Sequence, residues 1–246
     1  MRKHDSDRRV QLVCLPCAGA SAEMYRSWRT ELSDLVHVRP VSLPGRAELR
    51  HLPLCYDLHL VAESLADDLA EYDNEIALFG YSVGALVGFE AARRLVARRR
   101  PPVLLIVAAC DPPSVPPRRR DLHVLSDPEL IDWVRAQGAT PEAILSNTEM
   151  MALLLPVLRA DIALFDGYHY RQALPLPVPI VTVTGRQDPL TDPVTMTGWG
   201  EESELPPRDI LLEGGHMFIN DQERAVIDVV RDALEAFTAV RGRPAQ

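Results

Sequence analysis

The stretch Glu75-Ile76-Ala77-Leu78-Phe79-Gly80-Tyr81-Ser82-Val83-Gly84-Ala85-Leu86-Val87-Gly88-Phe89-Glu90-Ala91-Ala92-Arg93-Arg94-Leu95 decides the fold. Its first five residues form a short apolar run, the pattern of a buried strand. Its last eleven place apolar residues at helical spacing. Between them stands Gly80-x-Ser82-x-Gly84, so a serine is set on a sharp turn from strand to helix. Such a turn strains the serine backbone and lifts its hydroxyl clear of the sheet, and side chains at either flanking position would collide.

The same alternation continues outward. Val10–Leu15, His37–Leu43, Val103–Ala109, Pro179–Thr184 and Arg208–Leu212 read as further strands. Helices are expected over 22–35, 58–72 and 222–240. Strands alternating with helices imply a mostly parallel sheet flanked by helices on both faces. The rhythm breaks over about 111–175, where proline-rich Pro112-Pro113-Ser114-Val115-Pro116-Pro117 leads into two or three helices without a strand. Strand, G-x-S-x-G and helix together resemble the nucleophile elbow of the α/β-hydrolase fold. The expectation is one α/β-hydrolase domain over 1–246, with the helical stretch inserted as a lid above the active site.

Composition narrows the function classes. A chain of 246 residues, 47% hydrophobic and 25% charged, has an ordinary globular balance. Its net charge of -9 argues against nucleic acid as a general partner. The basic start, Met1 to Arg9, has no apolar signal region behind it, and no run approaches membrane-spanning length, so the reading is a cytoplasmic protein. Cys14 and Cys17 are spaced as C-x-x-C, but no second ligand pair answers them, and Cys14 falls inside a strand. Buried thiols are expected there, with no metal or cofactor.

A serine hydroxyl needs a base and an acid to orient that base, and in this fold they follow in the order Ser, Asp, His. His216, in Glu213-Gly214-Gly215-His216-Met217-Phe218 after the last strand, is the expected base. His123 and His169 lie within the inserted stretch and read as surface or packing residues. Asp188, in Thr184-Gly185-Arg186-Gln187-Asp188-Pro189, is favoured as the acid, with Asp192 and Asp111 as rivals. The oxyanion donors are expected to be the backbone N–H groups of Val83, at the start of its helix, and Ala18, in the loop after the first strand.

Several motifs beyond the elbow are similar to the type II thioesterases that accompany polyketide synthases and nonribosomal peptide synthetases. They are Leu15-Pro16-Cys17-Ala18-Gly19, Leu43-Pro44-Gly45-Arg46, Leu125-Ser126-Asp127-Pro128-Glu129-Leu130, Leu154-Leu155-Pro156-Val157-Leu158-Arg159-Ala160-Asp161 and Gly214-Gly215-His216-Met217-Phe218. The resemblance implies hydrolysis of acyl groups from the phosphopantetheine arm of an acyl or peptidyl carrier protein. Cys17, Ala20 and Tyr81 depart from the family pattern, which commonly has His, Gly and His there, and they place variation around the oxyanion loop and beside Ser82. Carrier domains are generally acidic, so Arg118, Arg119 and Arg120 are a candidate docking patch. Arg93, Arg94, Arg98, Arg99 and Arg100 read instead as a solvated helix end. A hydrolase of free esters or acyl-CoA, an acyltransferase and a noncatalytic binding module remain open alternatives at this stage.

Overall fold

A computed structural model describes residues 9–116 and 121–241. In chain order the elements are β1 (Gln11–Leu15), α1 (Trp28–Glu31), β2 (His37–Pro40), α2 (Leu58–Ala70), β3 (Ile76–Tyr81) and α3 (Val83–Ala97). There follow β4 (Leu104–Ala108), α4 (Asp127–Ala136), α5 (Glu142–Leu145), α6 (Thr148–Asp166), β5 (Ile180–Gly185), α7 (Pro193–Met196), β6 (Arg208–Leu212), α8 (Phe218–Asp221) and α9 (Glu223–Arg241). The strands form one six-stranded sheet in the order β2-β1-β3-β4-β5-β6, every pair parallel. The expected α/β architecture is therefore present.

Strand periodicity divides the core in two. Val13, Leu15, Ile76 and Leu78 face α2 and α3 on one side of the sheet. Leu12, Cys14, Ala77 and Phe79 face Tyr25, Trp28 and α9 on the other. Central strands covered on both faces must be apolar at nearly every position, and β1, β3 and β4 are buried throughout. The edge strand β6 is largely exposed.

The expected helix over 22–35 is broken. A 3-10 turn covers Ala22–Tyr25, and α1 begins only after Ser27. Ser21 caps the first turn by accepting from the Glu23 N–H, whereas Ser27 makes no side-chain cap and its hydroxyl donates to Glu223. The two short turns deliver Tyr25 and Trp28 onto Phe79, with ring centroids 5.8 and 4.8 Å from it in edge-on contact. Of the arginines ending α3, Arg99 is exposed as expected, and the others differ from expectation. Arg94 pairs with Glu63 and Glu90, Arg98 with Glu63 and Asp67, and Arg100 donates to the Ala70 carbonyl. They brace α3 against α2, because the two helices run side by side with acidic residues on α2 facing them. The Arg118–Arg120 patch lies outside the described residues.

The stretch between β4 and β5 contains a 3-10 turn at Leu122–Val124 and then α4, α5 and α6, with a small core of its own around Leu130, Leu145, Met151 and Leu155. Pro156 sits inside α6. Before it, Met150, Leu153 and Leu154 are exposed; after it, Ala160 to Leu164 are buried.

Phe79 is the shared contact of the aromatic cluster beneath β1 and β3. Phe79→Ala should cost about 3–5 kcal/mol of stability, read as a lower denaturant midpoint at unchanged slope. A loss below about 1 kcal/mol would show that the cluster is not a keystone of that face.

Candidate active site

Ser82 joins β3 to α3 with φ 54 and ψ -123, a conformation that costs a non-glycine residue about 1–3 kcal/mol. Two contacts explain why glycines flank it. A Cβ on Gly80 would lie 2.4 Å from the Gly84 carbonyl oxygen, and one on Gly84 would lie 2.5 Å from that of Leu15. Gly84 thus makes room for the loop after β1 rather than for the elbow itself. The Ser82 N–H donates to the Ala108 carbonyl at 2.8 Å, tying the turn to β4.

The structure brings the three expected side chains together from distant parts of the chain. His216 Nε2 is 3.1 Å from Ser82 Oγ, and His216 Nδ1 is 2.9 Å from Asp188 Oδ2 and 3.2 Å from Oδ1. An ionised carboxylate only accepts, so Nδ1 carries the proton and Nε2 is left to take one from Ser82.

Asp188 is itself held from three sides. The Leu190 N–H donates to Oδ1 at 2.8 Å, the Thr191 N–H to the same oxygen at 3.3 Å, and the Thr191 hydroxyl to Oδ2 at 2.6 Å. Burial alone would push this carboxyl up, but the hydrogen bond and charge of His216 outweigh it with help from Thr191 and Leu190. The group is held below its usual 3.8. The rivals do other work: Asp192 caps α7 through the Val194 and Thr195 amides, and Asp111 accepts from the Asp192 N–H.

Ser82, His216, Ala18 and Val83 line one cavity of about 270 Å³. Its lining is mostly apolar, with Leu86, Pro112, Leu122, Trp133, Ile162 and Phe165 beside a few polar groups such as Asp161 and His169. Val83 is the first residue of α3, so its N–H carries the positive end of that helix. Among the described residues, no backbone carbonyl outside the helix ladder takes the Val83 or Ala18 N–H. His169 is exposed, as expected, and also borders this cavity. His123 pairs with Asp166 at 2.7 Å within the insertion.

The departures Cys17 and Tyr81 do not line the cavity. Cys17 is buried, and burial first, with Asp161 nearby, pushes its thiol up to about 12. Cys14 and Cys17 are both free thiols. The Tyr81 side chain points to the opposite face of the sheet and donates to the His216 carbonyl at 2.7 Å, bracing the histidine loop from below. Tyr81, which the sequence marked only as a departure beside Ser82, and Thr191, which it did not single out, are supporting residues. A Thr three positions after the acid, able to donate to it, was the available signal.

Because the folded Asp188 carboxyl has a depressed pKa, its contacts stabilise the protein above pH 3.8 and lose that effect as pH falls through the lower folded value. The stability gap between wild type and Asp188→Asn should therefore be widest near neutrality and narrow in acid, followed by denaturant titration across pH. A gap independent of pH would contradict this placement of charge.

A family model described as a thioesterase domain matches residues 10–234. Thioesterase PikA5 of Streptomyces venezuelae is 32% identical over 237 residues, covering 96% of this chain and 83% of that protein. Linear gramicidin dehydrogenase LgrE of Brevibacillus parabrevis is 30% identical over 240 residues, covering 96% and 91%. The solved type II thioesterase BorB from the borrelidin biosynthetic cluster superposes with a TM-score of 0.84 at 31% identity, covering 95% of each chain. With a parallel sheet, a serine elbow and these likenesses in agreement, this chain belongs to the thioesterase family of the α/β-hydrolase fold.

Proposed function

We propose that this chain hydrolyses acyl groups from the phosphopantetheine arm of acyl or peptidyl carrier domains in polyketide or nonribosomal peptide biosynthesis. The observation that carries the reading is the hydrogen-bonded series Ser82, His216, Asp188 opening onto an apolar cavity. The thioesterase relatives support it. The name of LgrE does not carry over, because the turn Pro16–Ala20 after β1 holds one glycine, not the spaced glycines of a dinucleotide-binding turn.

In this mechanism Ser82 Oγ attacks the thioester carbonyl carbon while His216 Nε2 takes its proton. The carbonyl oxygen becomes an oxyanion facing the Ala18 and Val83 N–H groups. Collapse breaks the carbon–sulfur bond and forms the Ser82 ester; the departing thiolate takes the proton from His216 and leaves as the pantetheine thiol, so that the imidazole is neutral again. Water, deprotonated by His216, then attacks that ester and releases the free acid and Ser82. Asp188 keeps the imidazole in one tautomer and stabilises the imidazolium. A thiolate leaves easily, so the demand on His216 as acid is mild.

The same proposal treats 1–246 as one domain, with the helices within about 111–175 as a lid over the cavity, and places the protein in the cytoplasm. No helix among the described residues is long and apolar enough to cross a membrane.

Steady-state hydrolysis of matched acyl-carrier, acyl-CoA and aryl ester substrates, with intact mass spectrometry of the enzyme, tests the reading. Expected are preference for the acyl-carrier and an acyl adduct on Ser82. Ser82→Ala should lose at least about 10³-fold in kcat. Preference for free esters would overturn the carrier assignment. Wild-type turnover by Ser82→Ala would overturn the mechanism.

A further inference from the structure

Two motifs shared with type II thioesterases, Leu43-Pro44-Gly45-Arg46 and Leu158-Arg159-Ala160-Asp161, play no part in the chemistry above, yet their last residues meet. Arg46 stands on the loop after β2 and Asp161 on α6, and both side chains are buried, at 8% and 2% exposure. Arg46 Nη1 donates to Asp161 Oδ2 at 2.6 Å, and Nη2 donates to Oδ1, a two-pronged contact. The pair also grips the loop after β1. The Gly19 N–H donates to Asp161 Oδ2 at 2.8 Å, and Arg46 Nη1 donates to the Ala20 carbonyl at 2.9 Å.

These contacts fall on the peptide groups around Ala18. The Ala20 N–H donates to the Cys17 carbonyl at 3.1 Å, closing a four-residue turn with Gly19 at its third position and φ +75. Positive φ there is the mark of a type II turn, whose commonest alternative differs by a flip of the central peptide. In this turn the central peptide joins Ala18 to Gly19. Its N–H points at Asp161; flipped, its carbonyl would face a buried carboxylate instead. Asp161 therefore selects one orientation, and the Cys17 carbonyl fixes the peptide that carries the Ala18 N–H. Leu158, one turn earlier on α6, closes the space beside Gly19, where a Cβ would meet its Cδ1 at 3.1 Å. Arg46 has a second task. Asp161 lines the same cavity as Ser82, and an unpaired carboxylate there would oppose a developing oxyanion.

We propose that the buried Arg46–Asp161 pair is a positioning device for the Ala18 oxyanion donor, fixing its turn and tying that turn to the α6 helix above the cavity. The inference rests on the serine mechanism proposed above and on Ala18 as one of its two donors. Asp161 and Arg46 act through the loop and touch no reacting atom.

Asp161→Ala, Arg46→Met and the double variant Arg46→Met/Asp161→Asn test this with a simple aryl thioester. The double variant is neutral at this site and keeps a carbonyl oxygen for the Gly19 N–H. Asp161→Ala should lower kcat by about tenfold to a hundredfold, less than the roughly hundredfold to thousandfold of losing one oxyanion donor outright, with KM within about twofold. Affinity for a trifluoromethyl ketone, which forms an oxyanion on Ser82, should fall by the same factor. Arg46→Met, which strands the carboxylate, should be at least as damaging, and the double variant should recover most of the loss. Thermal midpoints identify variants that fail to fold, and the double variant still reports if Asp161→Ala is one of them. An unchanged kcat, or a loss without matching loss of ketone affinity, would overturn the positioning role. Ser82→Ala run alongside separates the failures. If it is inactive while Asp161→Ala is normal, only this inference falls; if it turns over, the serine mechanism falls too.

Discussion

A strained backbone at Ser82 is the constraint from which the site follows. Its φ of 54 and ψ of -123 turn the chain from β3 into α3 within one residue, so the side chain projects beyond the sheet edge. The same turn starts α3 beneath the reacting position and aims the helix's first amide at it. Nothing local favours that conformation. It persists because β3 is buried between β1 and β4, α3 packs on the sheet, and Gly80 and Gly84 leave room for backbone to touch backbone. Strain of about 1–3 kcal/mol is small against the burial of a central strand and its helix.

Around that fixed serine, the partners are held by their own surroundings as well as by one another. Asp188 is gripped by Thr191 and the Leu190 amide, and the His216 loop is braced by Tyr81 from the opposite face of the sheet. The β1 loop is trapped between Gly84 on one side and Asp161 with Arg46 on the other. The cavity wall comes largely from the helical stretch between β4 and β5. Preorganisation of this kind suits acyl transfer, where charge appears on the carbonyl oxygen and must find donors already aimed. An apolar wall beside them suits a hydrocarbon acyl chain.

Much of this was legible in the sequence because periodicity and turn chemistry report on local structure. The strands were found to within a few residues, and the order of elbow, Asp188 and His216 placed three side chains that the fold brings within hydrogen-bond reach. What the sequence concealed depends on contacts between segments far apart in the chain. Arg46 and Asp161 are 115 positions apart, and neither residue alone announces a buried pair. Tyr81 read as a change beside the serine, yet strand alternation sends its ring to the other face. The helix over 22–35 looked continuous because its apolar spacing is helical, while the break before α1 goes with the packing of Tyr25 and Trp28 on Phe79, a residue more than 50 positions away. Arg94 and Arg98 looked solvated because their partners Glu63 and Asp67 sit on α2, more than 30 positions earlier.

The serine chemistry requires that His216 hold its proton on Nδ1, toward Asp188, leaving Nε2 bare for Ser82. Nitrogen-15 NMR of His216 in the resting enzyme at neutral pH reads this directly. A protonated Nδ1 and an unprotonated Nε2, with the pattern lost in Asp188→Asn, is the predicted result. A proton resident on Nε2, or a pattern indifferent to Asp188, would contradict it.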